Sequence, residues 1–158
     1  MADGLAWRSI WHTICCIIFV NQKQEKTMIT VKNAGKFRME IKNDSELTHT
    51  DVPTGAGGHG EYPTPVVLLA ESLAACALTT AAMGAAKDGL DATGWHAEVT
   101  GIGFDEGHDL VKSIAVHFHF GQNVPADKRK RLEAFTHRGC TVGNSLTAEK
   151  AFTFDYDV

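Results

Sequence analysis

One run dominates what this chain can fold into. Val66 to Ala86 (VVLLAESLAACALTTAAMGAA) is rich in Ala and Leu and carries a single charge, Glu71. Ala and Leu are strong helix formers, and Pro65 stands where a first helical turn accepts proline. Lys87-Asp88-Gly89 then supplies charge and glycine, a helix stop. A helix apolar nearly all round must be buried, in a protein core or in a membrane. Its many Ala, Ser and Thr residues make it a weak membrane span. A central buried helix is the expectation. One small sheet cannot cover such a helix, so a second copy of the chain is expected to complete the core as a homodimer.

The segments around this run alternate apolar and polar residues as half-buried strands do. Met28 to Asn33 and Lys36 to Lys42 read as a hairpin around Asn33-Ala34-Gly35. Asp51 to Pro65 is a Gly- and Pro-rich loop. Trp95 to Ile102 and Leu110 to Phe120 read as two more strands about Asp105-Glu106-Gly107. Pro125-Ala126-Asp127 opens an amphipathic helix running to about His137 and stopped by Gly139. Thr141 to Glu149 suggests a short helix, and Ala151 to Val158 a last strand. The fold class is α+β with a mostly antiparallel sheet.

The first 27 residues differ from the rest. Ser9 to Val20 (SIWHTICCIIFV) is apolar and gives way abruptly to NQKQEKT. For the basic start of a secretory signal it has only Arg8, opposed by Asp3, and no small-residue cleavage site follows; it is also too short to span a bilayer, and a degenerate signal or membrane anchor is the rival reading. Residues 1–27 are expected to be an extension outside the fold, with residues 28–158 as the working domain. Cys15 and Cys16 receive no role. With 15 Lys+Arg against 19 Asp+Glu the net charge is −4, which excludes a strongly basic nucleic-acid or acidic-membrane binder. Four cysteines are too few for a disulfide scaffold, so each needs its own explanation.

Cys76 lies in mid-helix, in ESLAACALTT, and Cys140 at a helix stop, in HRGCTVGNSL, 64 residues apart. A free cysteine in an Ala-rich helix usually serves as a small buried hydrophobe. Ser72, Thr79 and Thr80 share its helix face. They form a polar stripe that either assists a thiolate or bonds backbone carbonyls locally. Cys140 follows Gly139. A helix starting at Thr141, with His137 and Arg138 nearby, would favour its thiolate. A surface thiol with chance basic neighbours is the plainer reading.

The two glycines Gly57 and Gly58, the Pro63-Thr64-Pro65 motif, the Ala-rich helix carrying Ala74-Ala75-Cys76, and Cys140-Thr-Val-Gly-Asn-Ser-Leu together resemble the OsmC/Ohr family of thiol peroxidases. The resemblance runs from about Met28 to Val158. It implies an intertwined α+β homodimer with an antiparallel sheet wrapped around a long central helix and active sites at the dimer interface. It makes Cys76 the peroxidatic and Cys140 the resolving cysteine of a sulfenate–disulfide cycle that reduces organic hydroperoxides. A dithiol reductant, such as a lipoylated protein, would restore the thiols. The resemblance implies no cofactor and no resident metal. The partners expected are a second copy of the chain, the hydroperoxide and the reductant, with no nucleic acid and no membrane. The expected compartment is the cytoplasm.

The chain also departs from the family pattern. Val66 stands where the family usually has an acidic residue that holds an arginine beside the thiolate. Glu71 is about 140° around the helix from Cys76 and substitutes poorly. Glu61, in the preceding loop, is the nearest candidate carboxylate. Arg38 is the candidate cation. Thr141 stands where proline is common and Gly143 where serine is common. The helix dipole lends a mid-helix thiol little help, so these losses strike at activation. A divergent peroxidase with weak or altered activity is therefore expected. The second reading is a non-catalytic relative that binds a small apolar ligand at the interface.

Other groupings are weaker. His117 and His119 face the same side of a strand, about 7 Å apart. A metal there would need a third ligand from His96 or Asp109, and a wet sheet face is the plainer reading. His137 and Cys140 lack a CxxC or HxxxH partner for zinc, even with Cys76 added. A Cys–His hydrolase built on them lacks an orienting group and an oxyanion hole. The basic run Lys128 to Arg131 reads as a solvated helix face.

Overall fold

A computed structural model of the chain describes residues 28–158; the expectation for residues 1–27 lies outside them. The chain divides into two compact units meeting at Gly60 and Glu61.

In the first unit, three antiparallel strands pair in the order β1 (Ile29–Gly35), β2 (Arg38–Asn43), β3 (Glu46–Thr50). The first hairpin turns at Lys36-Phe37, later than Asn33-Ala34-Gly35. Asn33 still acts locally. Its Oδ1 accepts from the Gly35 N–H at 2.8 Å and its Nδ2 donates to the Lys36 carbonyl at 3.1 Å. That turn chemistry goes into a register shift between Asn33 and Gly35. β3 has no counterpart in the sequence reading, because ELTHT is short and polar and buries only its last residue, Thr50.

In the second unit, α1 (Pro65–Lys87) is the long helix. The Thr64 hydroxyl caps it by accepting from the Val67 N–H at 3.3 Å. By length and composition α1 could cross a membrane. In the fold it buries Ala70, Leu73, Ala77, Ala81 and Ala85 as a core helix. Beneath it lies the sheet β4 (His96–Phe104), β5 (Val111–His119), β6 (Glu149–Asp155). β5 pairs antiparallel with β4 and parallel with β6. The chain reaches β6 by a crossover through α2 (Ala126–Gly139) and α3 (Thr141–Ser145), which is what a parallel neighbour requires. One sheet is thus wholly antiparallel and the other mixed.

The core is built on β5. Ile114, Val116 and Phe118 are fully buried, with Phe120 following. The Phe118 ring lies 5.1 Å from Phe152 and 5.2 Å from Phe154 of β6. Two glycines let α2 approach α1. A Cβ on Gly84 would come within 2.8 Å of the Phe135 ring, and one on Gly139 within 2.6 Å of Thr80. At the end of α1, Asp88 is clamped by Arg131 and Lys128 of α2. Arg129 donates to the Val124 carbonyl and lies 4.1 Å above the Tyr156 ring. The basic run is therefore more than a solvated face: three of its residues tie α2 to its surroundings.

Candidate functional site

The second unit brings Cys76 and Cys140 together. Cys76 is half-buried in the middle of α1. Cys140 is fully buried and caps α3, its Sγ accepting from the Gly143 N–H at 3.2 Å. The Cys140 thiol interacts with that of Cys76, and neither is in a disulfide. Cys140 Sγ also lies 4.0 Å from the carbonyl of Leu73, one turn before Cys76. Gly143 is the residue that permits this approach. A Cβ there would sit 3.3 Å from Cys140 Sγ and 3.4 Å from Leu73 Cδ1. A side chain there would need the Cys140 sulfur to give by a few tenths of an ångström.

The electrostatics of Cys140 differ from the sequence expectation. The helix N-terminus is present, but burial outweighs it and pushes the thiol up. The Gly143 and Val142 N–H groups pull down, and the neighbouring Cys76 pushes up again. His137 does not offset the burial; its ring stacks on Phe152 at 4.6 Å. Cys140 therefore rests as a thiol near neutral pH.

The polar stripe beside Cys76 serves the backbone. Ser72 donates to the Leu68 carbonyl and Thr80 to the Cys76 carbonyl, each at 2.9 Å. Val66 is half-buried in the first turn of α1. Glu61 is exposed ahead of the helix. Glu71 faces an open groove of about 430 Å³ between α1 and β4, lined also by Val67, Ala75, Leu78, Ala97 and Val99.

In the first unit, Arg38 ion-pairs with Asp51 at 3.0 Å, and the Asp51 side chain is fully buried. Asp51 also accepts from the Val52 N–H at 2.8 Å and the His59 N–H at 3.3 Å. Burial alone would raise its carboxyl. The Arg38 hydrogen bond and the two backbone donors overcome that and lower it to about 2. Sequence reading missed Asp51, since nothing local distinguishes it from other loop acids. Because the folded value lies below the ordinary 3.8, the pair stabilises this unit above about pH 4 and fades as pH falls toward about 2. Acid titration of the first unit, followed by backbone amide shifts, is expected to show a step that Asp51→Asn lacks. Identical profiles for the two proteins would contradict this.

On the outer sheet face, His119 has His96 and not Asp109 beside it. The His96 and His119 rings stack at 4.4 Å, while Asp109 belongs to the β4–β5 turn, its N–H bonded to Asp105. His117 is held by Thr153 and Asp155.

The model of the family described as OsmC-like protein matches residues 58–155. No curated protein matches the chain. Among solved structures, a proposed osmotic stress induced and detoxification response protein from Psychrobacter arcticus is similar. It has 26% identity and a TM-score of 0.73, over 85% of this chain and 99% of that one. An organic hydroperoxide resistance protein from Elizabethkingia anophelis has 19% identity and a TM-score of 0.65, over 82% and 96%. An OsmC-like protein from Mycoplasma pneumoniae has 19% identity and a TM-score of 0.67, over 85% and 97%. The family match spans most of the chain, both cysteines included, and the fold similarity extends beyond it. With two apposed thiols on this framework, the chain belongs to the OsmC-like family as a divergent member.

Proposed function

We propose that the protein is a cytoplasmic thiol peroxidase that reduces organic hydroperoxides. The observation that carries this reading is the apposition of the Cys76 and Cys140 thiols, half-buried and buried, in the second unit. The Cys76 thiolate attacks the distal oxygen of the hydroperoxide. An S–O bond forms, the O–O bond breaks, and the alkoxide leaves as the alcohol after taking a proton. The sulfenic acid on Cys76 is then attacked by the Cys140 sulfur. Cys140 loses its proton, the S–S bond forms, and water leaves. A dithiol, for which a lipoylated protein is the candidate, reduces the disulfide by exchange. Arg38 is the candidate cation for the thiolate and Glu61 the candidate carboxylate to hold such a cation, and the working domain is residues 28–158.

A homodimer fits the surface of α1. Val67 and Met83 of α1 are 37% and 40% exposed, and a second copy would cover them. The groove beside α1 favours a second reading, a relative that binds a small apolar ligand without turnover.

One experiment separates these readings. The reduced full chain is treated with tert-butyl hydroperoxide, first at one equivalent and then at millimolar excess with and without a dithiol, and its cysteine peptides are mapped by mass spectrometry. The expected product is a Cys76–Cys140 disulfide that a dithiol reduces over repeated cycles. A disulfide that forms once without cycling favours the binding reading. Unoxidised Cys76 at millimolar peroxide overturns the peroxidase. Sedimentation of the same sample as a monomer overturns the dimer.

A further inference from the structure

The strand register of the second sheet assembles a group that the thiol chemistry does not use. In the antiparallel β4–β5 pair, His96 lies opposite His119 and Glu98 opposite His117. All four therefore project from one face. This face is opposite the one on which Phe118 is buried. Ligand-capable atoms of His96, Glu98 and His119 all lie within 4.8 Å of one another.

The tautomers follow from the hydrogen bonds. The Nδ1 of His119 meets both carboxylate oxygens of Asp157 at 3.0 Å, and the Nδ1 of His96 faces the Gly94 carbonyl at 3.4 Å. A carboxylate and a carbonyl only accept, so in each neutral ring Nδ1 carries the hydrogen and Nε2 holds the lone pair. The His119–Asp157 pair has the form of the carboxylate–histidine–metal arrangement, in which the outer acid orients the ligating ring. His117 is different. Its two nitrogens are engaged by Thr153 at 2.6 Å and Asp155 at 3.1 Å, so it borders the group without offering a ligand.

We propose that His96, Glu98 and His119 form a binding site for a divalent transition-metal ion of the Zn²⁺ class on the outer face of this sheet. Two imidazoles and one carboxylate are a donor set that suits such an ion, with water completing the coordination. The metal lies in the plane of each ligating ring. Binding therefore swings the exposed His96 out of its 4.4 Å stack on His119. The site uses neither Cys76 nor Cys140.

Titration of the full chain with Zn²⁺ by calorimetry tests this, with Co²⁺ absorbance as the spectroscopic probe. The expected result is one saturable equivalent whose Co²⁺ form lacks thiolate charge-transfer absorption. That absence separates the site from all four cysteines. His96→Ala and His119→Ala are each expected to weaken binding by about 10-fold or more. Asp157→Asn should weaken it by about 10–100-fold, because it releases the orientation of His119. His137→Ala, on α2, leaves binding unchanged. Far-ultraviolet circular dichroism checks that each variant is folded. Binding that survives the double variant His96→Ala/His119→Ala, a thiolate spectrum for the single equivalent, or no saturation at millimolar Zn²⁺ each overturns the proposal.

Discussion

Cys76→Ser is expected to lower turnover of an organic hydroperoxide by at least about 10³-fold, because a serine hydroxyl at this position has no base to activate it. The substitution is nearly isosteric and sits in mid-helix, so α1 should persist. Cys140→Ser should behave differently. The serine Oγ can still accept from the Gly143 N–H and cap α3. One equivalent of alcohol is then released as Cys76 is oxidised, and the cycle stalls for want of a resolving thiol. Measuring alcohol released per chain, with and without dithiol, distinguishes the two variants. Equal turnover in Cys76→Ser and the parent would move the chemistry to another group and end the peroxidase reading.

Leu73→Ala is expected to cost about 2–5 kcal/mol of stability. Leu73 is fully buried in α1, and its Cδ1 lies close enough to Gly143 to meet an added Cβ at 3.4 Å. Truncation leaves a cavity beside Gly143 of α3. Two readouts should move together. The midpoint of chemical denaturation falls, and the rate of Cys76–Cys140 disulfide formation drops as α3 loses its seat against α1. A loss below about 1 kcal/mol would mean that the site collapses around the missing atoms, contrary to the tight packing around Gly143. A stability loss with unchanged disulfide formation would show that Leu73 supports the fold without positioning the pair.

The α1 helix was legible because its signal is local. A long Ala/Leu run, a proline at its start and a charged, glycine-containing end all act within a few residues. The strand pattern of β4 and β5 was legible for the same reason. Strand β3 was not, because a short polar strand near the surface has no apolar alternation to display. The direction of β6 was also hidden. Alternation is the same in parallel and antiparallel strands, and the crossover through α2 and α3 decides the direction.

At the site, the sequence by itself determined that Cys76 sits on the long helix and that Cys140 starts a short one. Both facts depend on neighbours in the chain. Tertiary packing decided that α3 docks on α1, bringing together thiols 64 residues apart. It also decided that burial prevails over the helix N-terminus at Cys140. A helix start can be read from residue types, but desolvation depends on what covers the group. The outer sheet face follows the same rule. His117 and His119 were visible as an alternating pair, but the β4–β5 register selected His96 over Asp109, because cross-strand neighbours are set by pairing and not by distance along the chain.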